Sequence, residues 1–157
     1  MKGKAMTTPE DRLKDLGITL PEAAKAVANY VPSVISGQHL FVSGQISMGS
    51  DGLVKGRLGD TMGLEEGQAA ARLCGINLLA QCKSALGDLS RIKRVVKLGG
   101  FVAADPSFVE IPQVINGCSD LMVEVLGEAG RHARSAVSCP VLPLGVAVEV
   151  DGVFEIA

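Results

Sequence analysis

The chain has 157 residues, the length of one ordinary domain. Apolar residues make up 47% and charged residues 20%, which fits a packed globule and excludes a disordered chain. With no Trp, one Tyr, four Phe, and 15 basic against 17 acidic residues, it lacks the aromatic platforms and surplus positive charge of single-stranded nucleic-acid modules.

The basic start, Met1-Lys2-Gly3-Lys4, runs into the polar stretch Thr7–Arg12 where a secretory leader would need apolar residues, so the expectation is a cytoplasmic chain with reduced thiols. Thr8-Pro9 reads as a helix opening, an N-cap followed by proline, with Gly17 as the stop. Residues 1–28 are taken as an N-terminal extension of a single domain spanning 1–157. From Leu20 to Pro32 the signals are mixed, and Tyr30-Val31-Pro32 reads as extended because residues before proline avoid the helical region. His39–Ile46 reads as a strand by its β-branched and aromatic content. Gly49-Ser50-Asp51-Gly52 then turns the chain into Leu53-Val54-Lys55, which predicts a hairpin.

The spacing of Ala71, Cys74, Leu78, Cys82 and Ala85 predicts a helix over Leu64–Leu86, closed by Gly87. Its Ala69-Ala70-Ala71 and Gly75 make a slim face suited to lying close against a sheet. Arg91 to Ala104 reads as a strand, and its Gly99-Gly100 pair marks a bulge or a close approach to the backbone. A second helix is predicted from near Val109–Pro112 to Gly127. Arg134–Val141 and Val146–Ile156 read as extended, the last alternating Val146, Val148, Val150 with Ala147, Glu149, Asp151. Strand pairs flanking helix, strand and helix predict an α+β fold: a mixed sheet with both helices on one face. The other sheet face then needs a cover, and association of identical copies is the simplest one.

No GxSxG, Walker-type GxxxxGK, GxGxxG or HExxH motif is present. The four cysteines include no CxxC pair, and with two histidines they give no zinc-type spacing, so no metal is expected. No apolar run approaches the roughly 18 residues of a membrane span, so no membrane partner is expected. What remains is a polar set toward the C-terminal end. Arg134 is either a solvated charge or a fork that grips a carboxylate. Glu149 is either an outward residue of its strand or a group that positions a water. His132 reads as a structural hydrogen bonder, since no Ser or Cys pairing is evident. Ser43 and Gly44 offer a hydroxyl and an unobstructed backbone N–H. Tyr30 is the one tyrosine, and Asn116 interrupts an apolar helix, where Asn is unfavourable unless it bonds something or is solvated.

Tyr30-Val31-Pro32, then Phe41-Val42-Ser43-Gly44-Gln45-Ile46 thirteen positions on from Tyr30 to Ser43, then Asn116, Ala133-Arg134-Ser135, Leu142-Pro143 and Val148-Glu149-Val150 resemble, in order, the YjgF/RidA (reactive intermediate deaminase) family. The fifteen positions from Arg134 to Glu149 match that family's ARS…LP…(I/V)E pattern. Val114–Asp120 and Gly130–Val137 resemble its longer endoribonuclease-like or chorismate-mutase-like branch. The resemblance implies a chorismate-mutase-like protomer, a homotrimer with clefts between subunits, and no cofactor. It implies that Arg134 grips the carboxylate of an amino-acid-derived imine or enamine, and that water held by Glu149 adds to the imine carbon, releasing ammonia and a 2-keto acid. Ser43, Gly44, Tyr30 and Asn116 would line the pocket. The family often carries cysteine two residues after the arginine; this chain has Ala136 there. The alternatives are a trimeric protein that binds a small carboxylate without turnover, and an endoribonuclease-like activity, which the low charge and scarce aromatics oppose.

Overall fold

The computed structural model describes residues 7–157; the basic start at 1–6 lies outside the described residues. The first helix, α1 (Pro9–Asp15), forms where Thr8 predicts it. The Thr8 hydroxyl accepts from the Asp11 N–H at 3.1 Å, and the Asp11 carboxylate accepts in return from the Thr8 N–H at 3.0 Å. This helix is bound to the body of the domain. Leu13 is buried in the core, and Glu10 accepts from Lys83 at 3.0 Å and from the Leu89 N–H at 2.8 Å.

The strands are β1 (Ser33–Ser36), β2 (His39–Ile46), β3 (Met48–Gly49) and β4 (Gly52–Leu53), followed by α2 (Leu64–Leu86), β5 (Ile92–Ala103), α3 (Ile111–Leu126), β6 (Ala133–Cys139) and β7 (Val148–Ile156). The main sheet has the order β1-β2-β7-β5-β6, with β5 and β6 parallel and every other pair antiparallel. This is the mixed sheet of an α+β fold. Along β7, residues 148, 150, 152, 154 and 156 are buried beneath the helices, while 149, 151, 153 and 155 are half-exposed on the other side.

The hairpin differs from the sequence expectation. The Gly49–Gly52 turn joins only the two-residue strands β3 and β4, and β2 pairs instead with β1 and β7. The first of these pairings turns at Gly37, whose φ of +59° is one that glycine adopts readily. β1 is a short edge strand that is mostly exposed, so its sequence carries little alternation. The last strand also starts later than predicted. A tight turn at Pro143–Gly145, with Leu144 and Gly145 both at positive φ, precedes Val146 and Ala147, which are both buried and end the alternation.

Small residues of the helices serve the helix pair as much as the sheet. A side chain at Gly75 would meet Leu121 and Cys118 of α3, and one at Gly67 would meet Leu58 and Val114. A Cβ at Gly117 would overlap the backbone carbonyl oxygen of Gln68 on α2. Cys74 does face the sheet, donating to the Val148 carbonyl at 3.4 Å. Cys74, Cys82 and Cys118 are buried, and burial pushes the Cys118 thiol up to about 12. Since the obstacle at Gly117 is backbone, Gly117→Ala is expected to destabilise the fold by about 1–3 kcal/mol, read from urea unfolding midpoints. Among the described residues, no helix is long and apolar enough to cross a membrane.

Candidate functional site

Three side chains of α3 and the segment after it converge on the start of β6. Gly127, at φ +63°, ends α3, and Gly130 then passes so close to the Met122 carbonyl that a Cβ would collide with it. That approach sets His132 against α3 and starts β6 at Ala133. Arg134 follows, half-buried, with Nη1 donating to Asn116 Oδ1 at 2.8 Å and to Ser119 Oγ at 3.1 Å. Asn116 therefore sits in its apolar helix because it has a specific partner, an arginine eighteen residues further along the chain. Ser119 also lies 2.9 Å from His132 Nε2, so the histidine does have a serine partner, which the sequence reading did not find. Its signal was the spacing of Asn116 and Ser119, three apart on one helix face.

A second set gathers on the opposite side of the sheet. The ladder between β2 and β7 is irregular between Val42 and Gln45, so Ser43 and Gly44 form a bulge. Glu149 Oε1 occupies the space where a Cβ of Gly44 would stand, and this close approach explains the glycine. Gly44→Ala is accordingly expected to displace the Glu149 carboxylate while leaving the melting temperature within a few degrees of native. The Ser43 hydroxyl donates to the Val31 carbonyl at 2.8 Å, and the Ser43 N–H donates to the Pro32 carbonyl at 2.9 Å. Ser43 thus ties the Tyr30–Pro32 segment to the sheet. Val31, Ser43, Gly44 and Asp151 line a shallow hollow of about 420 Å³. Tyr30 is exposed and lines a neighbouring groove with residues 22–26, Gln81 and Ser84.

Burial pushes the Glu149 carboxyl above its ordinary value, and the charge of Asp151 adds to the effect. Burial also raises Asp151, opposed by the Gly99 N–H and by Lys97. A Cβ on Gly99 would meet the Asp151 carboxylate, and one on Gly100 would meet Ile115, so the glycine pair marks close approaches on both faces, not a bulge. An acid whose folded-state pKa is raised binds protons more tightly folded than unfolded. Its contribution to stability therefore falls as pH rises from its ordinary value through the raised one. Glu149→Gln is expected to flatten that fall, read as melting temperature against pH from about 4 to 8.

The two sets do not meet within one protomer. Arg134 stands beside Leu98 in the β5–β6 register, and Leu98 is fully buried beneath the helices. Glu149 stands beside Phe101, which is 37% exposed on the open face. Leu98 and Phe101 are three residues apart on one regular stretch of strand and so point to opposite faces. The open face also carries the exposed side chains of Phe41 and Val137, an apolar surface around the Glu149–Asp151 pair. Among the described residues, no three His, Cys, Asp or Glu side chains are grouped to hold a metal ion.

The sequence profile of a family described as "YjgF/chorismate_mutase-like, putative endoribonuclease" matches residues 10–155. Protein TCP17 of Trypanosoma cruzi is 51% identical over 146 residues, 92% of this chain and 91% of that protein. A crystal structure of a protein of unknown function from Agrobacterium tumefaciens is 54% identical, with a TM-score of 0.89 over 95% of this chain and 92% of that one. A crystal structure of RidA from the Antarctic bacterium Psychrobacter sp. is 27% identical, with a TM-score of 0.60 over 86% of this chain and 94% of that one.

Proposed function

Because the chain belongs to the YjgF/chorismate mutase-like family, we propose that it hydrolyses reactive imines or enamines derived from amino acids to 2-keto acids and ammonia, in a site completed between copies of the chain. The observation that carries this reading is the division of complementary chemistry between the two faces. One edge bears an arginine whose Nη1 is already held by Asn116 and Ser119. The open face bears a carboxylate raised above its usual range, in an apolar surround. Opposed across two copies, they would present a carboxylate grip facing a water-holding acid. A homotrimer fits this arrangement, since a cyclic assembly sets the edge of each copy against the open face of the next and buries the exposed Phe41 and Val137.

The chemistry needs no cofactor, because an imine carbon is already electrophilic. Arg134 binds the substrate carboxylate and fixes the imine carbon at the position of the water. The Glu149 carboxylate takes a proton from that water as its oxygen bonds to the carbon. It returns that proton to the nitrogen of the tetrahedral adduct, and as the C–N bond breaks the hydroxyl oxygen forms the C=O bond and gives its proton to solvent, so that the protonated imine and water yield ammonia, a proton and the 2-keto acid. A carboxyl raised toward neutral pH serves both steps better than an ordinary one. The test is to generate 2-aminoacrylate in situ and follow pyruvate release against spontaneous hydrolysis. Release that accelerates in proportion to protein supports hydrolysis. Saturable pyruvate binding with no acceleration would replace it with a sensing protein. Against the endoribonuclease of the family description stand the paired carboxylates Glu149 and Asp151, which repel a phosphate backbone.

A further inference from the structure

We propose that Ser119 and His132 are positioning residues that lock the roll of the Arg134 guanidinium and leave one edge of it for a single planar carboxylate. This rests on the reading of Arg134 as the carboxylate grip. His132 Nδ1 contacts the Gly130 carbonyl oxygen, which can only accept, so Nδ1 carries a proton and donates it. In the neutral ring Nε2 is then the acceptor, and the Ser119 hydroxyl, 2.9 Å away, donates its hydrogen there. With that hydrogen committed, the serine oxygen turns a lone pair toward Arg134 Nη1 at 3.1 Å. The second Nη1 hydrogen goes to Asn116 Oδ1 at 2.8 Å. Both Nη1 hydrogens are thereby spent on the protein. Nε and Nη2, which have no hydrogen-bond partner among the described residues, form the side-on edge that matches the two oxygens of a carboxylate.

Each link depends on the one before it. Without His132 the serine hydroxyl is free to turn its hydrogen toward Nη1, and the guanidinium loses an acceptor. Without Ser119 the guanidinium is held only by Asn116 and rocks about that bond. Pre-organisation of this kind acts on binding and leaves the chemical step largely alone.

The experiment uses the full-length protein and 2-oxobutanoate as the carboxylate probe, titrated by calorimetry, with steady-state kinetics on 2-aminoacrylate alongside. Ser119→Ala and His132→Ala are each expected to weaken 2-oxobutanoate about tenfold and raise KM by a similar factor, with kcat within about twofold, as for loss of one hydrogen bond to a charged group. The double variant is expected to be no weaker than either single one, because both break the same chain. Ser119→Thr, which keeps the hydroxyl, is expected to bind like the native protein. His132→Gln, which keeps an acceptor for Ser119, serves if His132→Ala does not fold and is expected within threefold of native. Native affinity in Ser119→Ala, with affinity lost in Arg134→Lys, would overturn the positioning role alone. Native affinity in Arg134→Lys would overturn the carboxylate grip on which it rests.

Discussion

Replacing Arg134 by alanine is expected to lower kcat/KM for 2-aminoacrylate by at least about a hundredfold, the cost of removing the charged grip on the substrate carboxylate. Two features make the effect large. The side chain brings the fixed positive charge to its polar group with Asn116, Ser119 and His132, and none of these three partners supplies a guanidinium fork in its place. Its removal also leaves Asn116 Oδ1 without the donor for which an unfavourable helix residue is kept. Lysine does not restore the activity, because an ammonium cannot bond Asn116 and Ser119 while presenting a fork to the substrate. Since Arg134 is only half-buried on an edge strand, the melting temperature is expected to fall by no more than a few degrees.

Glu149→Gln has the complementary expectation: kcat lowered about 10²–10⁴-fold with KM changed little, since general acid–base groups contribute to the step and less to binding. The amide is isosteric and keeps the contact over Gly44, so the fold and the bulge at Ser43–Gly44 are undisturbed. What it loses is the ability to take and return a proton. A rise in KM without a fall in kcat would assign Glu149 to substrate binding instead of proton transfer.

Much of this architecture was legible along the chain. The α2 boundaries follow from apolar residues at helical spacing and from Gly87, and β2 follows from its β-branched and aromatic run. What escaped was set by distant partners. β1 has four residues on the sheet edge, so no alternation marks it, and the choice of β1 and β7 over β4 as partners of β2 is made by packing. The slim face of α2 was visible, but its division between sheet and α3 depends on where Gly117 meets Gln68, forty-nine residues away.

The candidate site was legible as residue types and not as geometry. Asn116 stood out as a polar residue in an apolar helix, whereas Ser119, one helical turn on, is an ordinary residue until His132 lies beside it. The placement of Arg134 and Glu149 on opposite faces depends on the parity of two strand registers against β5. No local pattern carries that parity. It is also the feature with the most functional content, because it makes a site containing both residues a property of two chains.

Mixing two inactive proteins tests that property most directly. Arg134→Ala and Glu149→Gln subunits, co-expressed with different tags and purified through both, are each inactive alone, yet a site between them can take its arginine from one copy and its glutamate from the other. In a ring of three purified through both tags every assembly is mixed, and one site in about three draws both native residues, so the preparation is expected to recover roughly a third of native 2-aminoacrylate hydrolysis. A mixed assembly that remains as inactive as its parents would contradict a site shared between copies.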